Sequence, residues 1–301
     1  MNNDELLLVL LTGCFKISNS RIKPLTLNEL SDFMSRIKLK KISAESIINK
    51  NGLKRLGLTP QTYERLRMLI DKDRKAKIIG ELKILEKNGI KIITKINKKY
   101  PKLLNEKLND SAPPLFYYCG NIDLVNEPGI AMVGLSRTTL KTIDDAIDIA
   151  QSMVKQNYII YSTGSKGADL AATDAAYYAG GSYVVIISNM FEIQEITPAL
   201  RERLASGRVL FISTVNPMIK NFSLESKNAK YLHAISQAVI VANSDMNDKG
   251  PWSGVTENIK NKWTPILVMD SSNTGNQALM KLGIQTINPK FPTIQPLNQL
   301  I

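Results

Sequence analysis

A chain of 301 residues with 44% apolar and 22% charged content is too long for one small domain and excludes a disordered or fibrous protein. Two cysteines, Cys14 and Cys119, with the lone His233, exclude a disulfide framework and argue against a dedicated zinc site, and the apolar run at residues 6–11 is too short to span a bilayer and lacks a basic leader. All of the +12 formal charge falls in the first third: residues 1–110 hold 24 Lys/Arg against 12 Asp/Glu, whereas residues 111–301 hold 15 of each.

Helical patterning dominates the N-terminal region. Helices are expected at 4–15, at 26–37, where Leu27, Leu30, Phe33, Met34 and Ile37 recur at helical spacing, at 43–49, at 61–70 behind Thr59-Pro60, and at 75–88, which Gly89 ends. Residues 50–60 read as a helix–glycine turn–helix passage, which loosely resembles a helix-hairpin-helix and equally fits a plain helical hairpin. A strand is expected at 90–94, then a loop-rich junction from Tyr100-Pro101 to Pro113-Pro114. Beyond it, strands at 115–119, 130–133, 158–162, 183–187, 209–213, 238–242 and 265–269 alternate with helices at 140–156, 167–179, 198–206, 224–235, 252–260 and 276–282. Nearly continuous apolar strands separated by helices imply a parallel sheet covered on both faces. Residues 289–301, with Pro289, Pro292 and Pro296, read as an extended tail.

Ligands of open parallel sheets collect beyond the carboxyl ends of the strands, so the loops there are the candidate site. The first offers Gly134, Ser136 and Arg137: glycine admits a close ligand, and guanidinium can fork around a phosphate. The second, from Ser162 to Asp169, supplies Ser162, Gly164, Ser165, Lys166 and Gly167 directly before a helix, whose free amides favour an anion. It fits neither the Walker A nor the GxGxxG spacing, so neither an NTPase nor a dinucleotide enzyme is expected. The third supplies Gly250, Ser253 and Gly254. Lys227 and Lys230, three apart, share a helix face that could add charge at this edge. Each loop taken singly also fits a tight strand-to-helix turn.

In this order the loops resemble the DNA-processing protein A family (DprA, also called Smf). Gly134-Leu135-Ser136-Arg137 is similar to its glycine-serine-arginine turn, and residues 162–169 to its SGxA(R/K)G(I/V)D motif. Gly180-Gly181 matches its paired glycines, and residues 222–236 its FPxRNRxIxxLS element. Residues 248–257 are similar to a GTWAGATE-like variant of its late glycine loop, while Tyr100-Pro101 and Pro113 to Tyr117 resemble its YP and PPLLY landmarks. The resemblance covers roughly residues 75–285. It implies fold class α/β: an extended Rossmann-like parallel or mixed sheet with helices on both faces, preceded by a small basic all-helical domain. The divisions expected are 1–75 (basic helical), 76–114 (helix, strand and linker), 115–288 (Rossmann-like) and 289–301 (tail). By position it adds Asn228 to the phosphate-binding set. The chain departs from the family pattern at the extra Leu135, at Ser223 for proline, at Asn228 and Lys230 for arginines, and at Thr173 for the usual histidine. No C-terminal winged helix is expected.

The function implied is a non-catalytic, cytoplasmic single-stranded DNA binder without metal or cofactor, serving DNA processing and recombination. Its partners would be single-stranded DNA and RecA or another DNA-processing protein, with homodimerisation and no membrane. Transformation, repair and defence against phage DNA all fit. Tyr161, Phe222 and Trp252 are candidates to stack on bases or to fill the core. The alternative is a nucleotide sensor related to the LOG branch; hydrolysis is disfavoured because Glu257 follows Thr256 directly, and the LOG pattern places its glutamate three residues after the threonine. A basic scaffold recruiting an acidic protein is a third reading. His233, in an apolar helix, is expected to be structural, and Asp169 to order its loop. Deleting residues 1–95 is expected to remove most salt-dependent affinity and leave a weak phosphate pocket.

Overall fold

The computed structural model describes residues 1–16, 22–187, 197–219, 225–248, 250–289 and 296–299. Its centre follows from the apolar runs: β3 (Gly129–Val133), β4 (Ile159–Ser162), β5 (Tyr183–Ile186) and β7 (Ala238–Val241) are buried along their whole lengths. Such strands need cover on both faces, which crossover helices provide. With β1 (Lys91–Thr94), β2 (Leu115–Gly120), β6 (Val209–Ser213), β8 (Ile266–Met269) and β9 (Thr286–Ile287) they form a nine-stranded sheet of order β1-β2-β6-β5-β4-β3-β7-β8-β9. The seven strands from β6 to β9 in that order run parallel, and β2 and β1 are each antiparallel to their inner neighbour. The mixed Rossmann-like α/β class expected from the sequence is thus present, and β9 extends it beyond the last predicted strand. The strand order reverses between β4, β3 and β7, which puts the topological switch point at the carboxyl end of β3.

Alternation along each strand divides the core. One apolar layer takes Ile130, Met132 and Ile160 from the sheet, covered by α7 (Leu140–Lys155), α8 (Ala168–Tyr178) and α9 (Pro198–Ala205). The other takes Ala131, Val133 and Val239, covered by α6 (Lys102–Leu108), α10 (Glu225–Ile235), α11 (Pro251–Asn261) and α12 (Thr274–Lys281). α8 presents Ala168, Ala172 and Ala176, small enough for the close approach of α7. α6 lies inside the junction read as loop: Leu104 and Leu108 are buried one turn apart, and Pro101 stands at its cap rather than in its interior.

The N-terminal helices are α1 (Asn3–Thr12), α2 (Leu27–Leu39), α3 (Ala44–Ile48), α4 (Pro60–Leu69) and α5 (Lys72–Lys87). Asn2 and Thr26 begin α1 and α2 with reciprocal capping boxes through Glu5 and Glu29, and Asp71 starts α5 three residues earlier than predicted by accepting the Asp73 and Arg74 amides. The predicted boundary at residue 75 therefore falls inside α5. These helices share one apolar cluster with the sheet, from Leu10, Phe33 and Ile47 through Ile78 to Tyr117 and Met132. The glycine turn of residues 50–60 is a short 3₁₀ segment, Leu53–Leu56. Gly52 before it is buried, and a Cβ there would come within 2.7 Å of Ile42, so it faces core rather than a ligand.

α1 lies along the carboxyl edge of the sheet. At one end Glu5 accepts a hydrogen bond from Asn97, just after β1; beyond the other, Asn216, after β6, donates to the Cys14 carbonyl (2.7 Å) and to Glu81 of α5 (2.6 Å). Within the tail, Leu297 is buried and its amide donates to Gln156 Oε1 at 3.0 Å, so that part docks on the core. No helix among the described residues is long and apolar enough to cross a membrane.

Candidate functional site

The loops after β3, β4 and β7 meet at the switch point. Gly134 ends β3 with no room for a side chain: a Cβ would lie 2.7 Å from Asn243 Oδ1 and 3.2 Å from Ala168. Asn243, the second residue after β7, accepts the Leu135 amide at 3.0 Å and so ties the first loop to the third strand end. From the other side, Gly167 (φ +88°) packs against the first loop, since a Cβ would lie 2.7 Å from the Leu135 carbonyl and 3.4 Å from that of Ser136. The loop after β7 is pinned in turn by α12, where Asp245 accepts the Thr274 amide (3.1 Å) and buried Asn276 donates to the Ala242 carbonyl (3.1 Å).

The second loop is held from below by a carboxyl group. Asp169, in the first turn of α8, is 2% exposed. Thr163 donates to its Oδ2 at 2.8 Å, Ser165 Oγ lies 2.8 Å from Thr163 Oγ1, and Ser162 Oγ accepts the Gly164 amide at 2.9 Å. Burial pushes the Asp169 carboxyl up to about 7, against the pull of the Thr163 hydroxyl and amide, the Gly134 amide and Ser162. The loop-ordering part expected of Asp169 is what these contacts describe.

Above this floor Ser136, Arg137, Gly164 and Lys166 are exposed, and Ser165 and Gly167 are half-buried. Among the described residues neither Arg137 nor Lys166 has an ion-pair partner. The N-termini of α8 and α11, which start from Gly167 and Gly250, carry no side-chain cap. Two unneutralised cations beside the uncapped start of α8 form an anion-favouring edge, whereas at the start of α11 the Asp248 carboxylate accepts the Gly250 amide.

The structure does not draw every expected residue to this edge. Lys230 lies over the Trp263 ring, 5.5 Å from its centroid, near the opposite end of α11 from Gly250. Gly254 faces α10, where a Cβ would sit 2.7 Å from Ala229 and 3.2 Å from His233 Nε2, so it lets two helices touch. Asn228 is buried, Ser162 lies under the second loop, and Gly250 is exposed with Ser253 half-buried on the first turn of α11. Phe222 and the Lys227 side chain lie outside the described residues. Tyr161 is fully buried with its hydroxyl donating to the Leu124 carbonyl, and Trp252 packs against the core, so Tyr161 cannot stack on a base. Asn243 and Thr163 also belong to the site: Thr163 is the first polar side chain beyond the end of β4, whereas Asn243 is identified only by its bond to Leu135 across the fold.

His233 is sealed between α10 and α11. Burial, with the nearby Lys107 charge, holds its pKa down to about 3, and neither ring nitrogen has a hydrogen-bond partner among the described residues. Among the described residues no group of three or more His, Cys, Asp or Glu could hold a metal ion. A cavity of about 520 Å³ opens elsewhere, between α2 and the segment after β1, with Leu30, Met34 and Ile37 on one wall and Lys95, Ile96 and Ala112 on the other.

A family model for DNA recombination-mediator protein A matches residues 91–289. The DNA processing protein DprA of Streptococcus pneumoniae (strain ATCC BAA-255 / R6) is 33% identical over 94 residues, 31% of this chain; the match spans about a third (32%) of that relative's length. Among solved structures, DNA processing protein A from Streptococcus pneumoniae has a TM-score of 0.64 at 19% identity, covering 88% of this chain and 95% of its own. DNA processing protein A from Helicobacter pylori, solved for its single-stranded DNA binding mode, has a TM-score of 0.51 at 19% identity, covering 65% and 89%. At these identities the likeness to the solved structures is one of fold.

Proposed function

The chain belongs to the DNA recombination-mediator protein A family, and from that premise we propose that it binds single-stranded DNA by seating backbone phosphates on the loops after β3 and β4. One observation carries the reading: Arg137 and Lys166, both exposed and without ion-pair partners among the described residues, stand on two interlocked loops at the switch point. A guanidinium fork and a lysine point charge there suit a phosphodiester, which carries the same group at every nucleotide. The single-stranded DNA binding described for the Helicobacter pylori relative supports the choice of ligand.

The N-terminal helices support a second part of the reading. They meet the same carboxyl edge through α1 and α5, and residues 1–110, of which they are part, carry all of the +12 formal charge. Long-range attraction belongs to them and local seating to the glycine loops. We read the protein as non-catalytic because its one histidine is sealed in the core, away from any substrate at this edge. RecA or another DNA-processing protein as recipient of the strand, and a homodimer as the binding unit, are parts of the same proposal.

Fluorescence anisotropy with oligo-dT at increasing salt tests it. Affinity should fall with a slope of about −0.7 in log K against log salt for each phosphate neutralised. Arg137→Ala with Lys166→Ala should weaken binding at every salt concentration, and Gln at exposed Lys72, Lys77 and Lys83 of α5 should flatten the slope. No binding at low salt, together with thermal stabilisation by a mononucleotide, would replace this reading with that of a nucleotide sensor.

A further inference from the structure

Between the loop surface and the interior runs a chain of three groups: half-buried Ser165, Thr163 at 2.8 Å from it, and buried Asp169 at 2.8 Å from Thr163. A hydroxyl has one proton to donate, so the state of the group at the buried end fixes the direction of every donor above it. We propose that Asp169 is a positioning residue for the bound phosphate, acting through Thr163 to turn the Ser165 hydroxyl towards the ligand, and that binding draws a proton from solvent onto Asp169. This rests on the phosphate-binding reading of the loops.

The two states follow from donor bookkeeping. Ionised Asp169 can only accept, so Thr163 spends its proton on it; Ser165 then donates to Thr163 and turns its lone pairs outward, where they repel an anion. Protonated Asp169 donates to Thr163, Thr163 donates to Ser165, and Ser165 donates to the phosphate oxygen. One proton enters from bulk solvent, and no bond other than a hydrogen bond forms or breaks. Burial holds the carboxyl close to neutrality, so both states are within reach under ordinary conditions.

Charges on the surrounding elements do not pre-empt this choice. The flanking loops carry Arg137 and Lys166. α7 carries exposed Asp144 and Asp148 and the Lys141–Asp145 ion pair, which is satisfied within its own helix. Asp174 lies further along α8, in an ion pair with Arg203. The loop after β7 carries Asp245, engaged with the start of α12, and Asp248, which accepts the Gly250 amide. His233 on α10 stays neutral across the relevant range. Lys107, brought down to about 8 by burial, is held by the Ser236 carbonyl and Thr264 on the other sheet face. No ion pair reaches Asp169 among the described residues.

The test is oligo-dT binding by the full chain and by Asp169→Asn and Ser165→Ala, at constant ionic strength. Wild-type affinity should be about tenfold weaker at about pH 8 than at about pH 6, the limit for one group titrating midway. Titration calorimetry in two buffers of different ionisation heat should show uptake of up to about half a proton at about pH 7, approaching one at about pH 8. Asp169→Asn should lose that dependence and bind at the higher pH about as tightly as the wild type does at the lower. An asparagine amide with its N–H₂ at the position of Oδ2 donates to Thr163 at every pH. Ser165→Ala, which changes only a half-buried hydroxyl, should also lose it and bind weakly throughout. Parallel pH profiles for wild type and both variants, or binding without proton uptake, would overturn the inference while leaving the phosphate reading intact. Absence of binding by the wild type at any pH would overturn that reading first, and this one with it.

Discussion

Gly167→Ala is the sharpest perturbation of the loop arrangement. Gly167 has φ +88° and ψ −139°, a region that L-residues enter at a cost of about 1–3 kcal/mol. Its new Cβ would lie 2.7 Å from the Leu135 carbonyl oxygen and 3.3 Å from Thr138 Cγ2. A backbone oxygen on a loop tied down by Asn243 cannot swing aside as a side chain would, so overpacking adds about 1–3 kcal/mol. The expected loss of stability is about 2–6 kcal/mol. Gly180→Ala is the control: its φ is +86°, but a Cβ there meets nothing within 4 Å, so only the backbone cost of about 1–2 kcal/mol applies. Urea denaturation measures both variants, and oligo-dT anisotropy on the folded fraction measures the loop displacement separately. If Gly167→Ala proves no more costly than Gly180→Ala, or keeps full affinity, the loops after β3 and β4 do not interlock as described.

Two further changes probe residues whose parts the structure redefines. His233→Leu replaces an imidazole whose two buried nitrogens have no partner among the described residues by an apolar side chain of similar size, and should raise stability by about 1–3 kcal/mol in urea denaturation; a loss would mean that the ring has a bonded role. Gly254→Ala should cost about 1–3 kcal/mol by forcing α10 and α11 apart, and a loss of DNA affinity exceeding that of stability would return Gly254 to the binding surface.

What could be read in the sequence, and what could not, divides along physical lines. Burial on both faces leaves a one-dimensional mark, so β2 to β8 were visible as apolar runs, and with them the carboxyl ends where Gly134, Arg137 and Lys166 stand. The direction of a side chain on a helix depends on what packs beside it. Lys227 and Lys230 share a face in sequence, yet the partner of Lys230 is Trp263, 33 residues on and visible only when α10 and α11 are brought together. Gly254 is a similar case: a glycine for close ligand approach and a glycine for close helix approach look alike until the neighbour is known. Tyr161 was ambiguous because an aromatic at a strand end serves core and ligand equally well. α6 was hidden by the prolines around it, which stop a helix only when they fall inside it. Asn243 was missed because one asparagine after a strand carries no pattern; its importance comes from reaching Leu135 across 108 positions.

The uneven charge also takes on a different meaning once the packing is known. A basic third joined to a neutral remainder suggests two separable modules, and deleting residues 1–95 looks like a clean way to remove one. That cut would take away β1, the edge strand paired with β2. It would also strip Leu10, Ile78 and Leu85 from the cluster that covers Tyr117 and Met132. The Glu81–Asn216 bond, buried at 2.6 Å, would be broken as well, leaving Asn216 without that partner. Loss of DNA binding by such a truncation would follow from unfolding as readily as from lost cations. Substituting exposed lysines on α5 removes charge and leaves Ile78, Glu81 and Leu85 in place. Salt dependence measured that way reports electrostatics alone, whereas affinity lost on truncation reports a broken core.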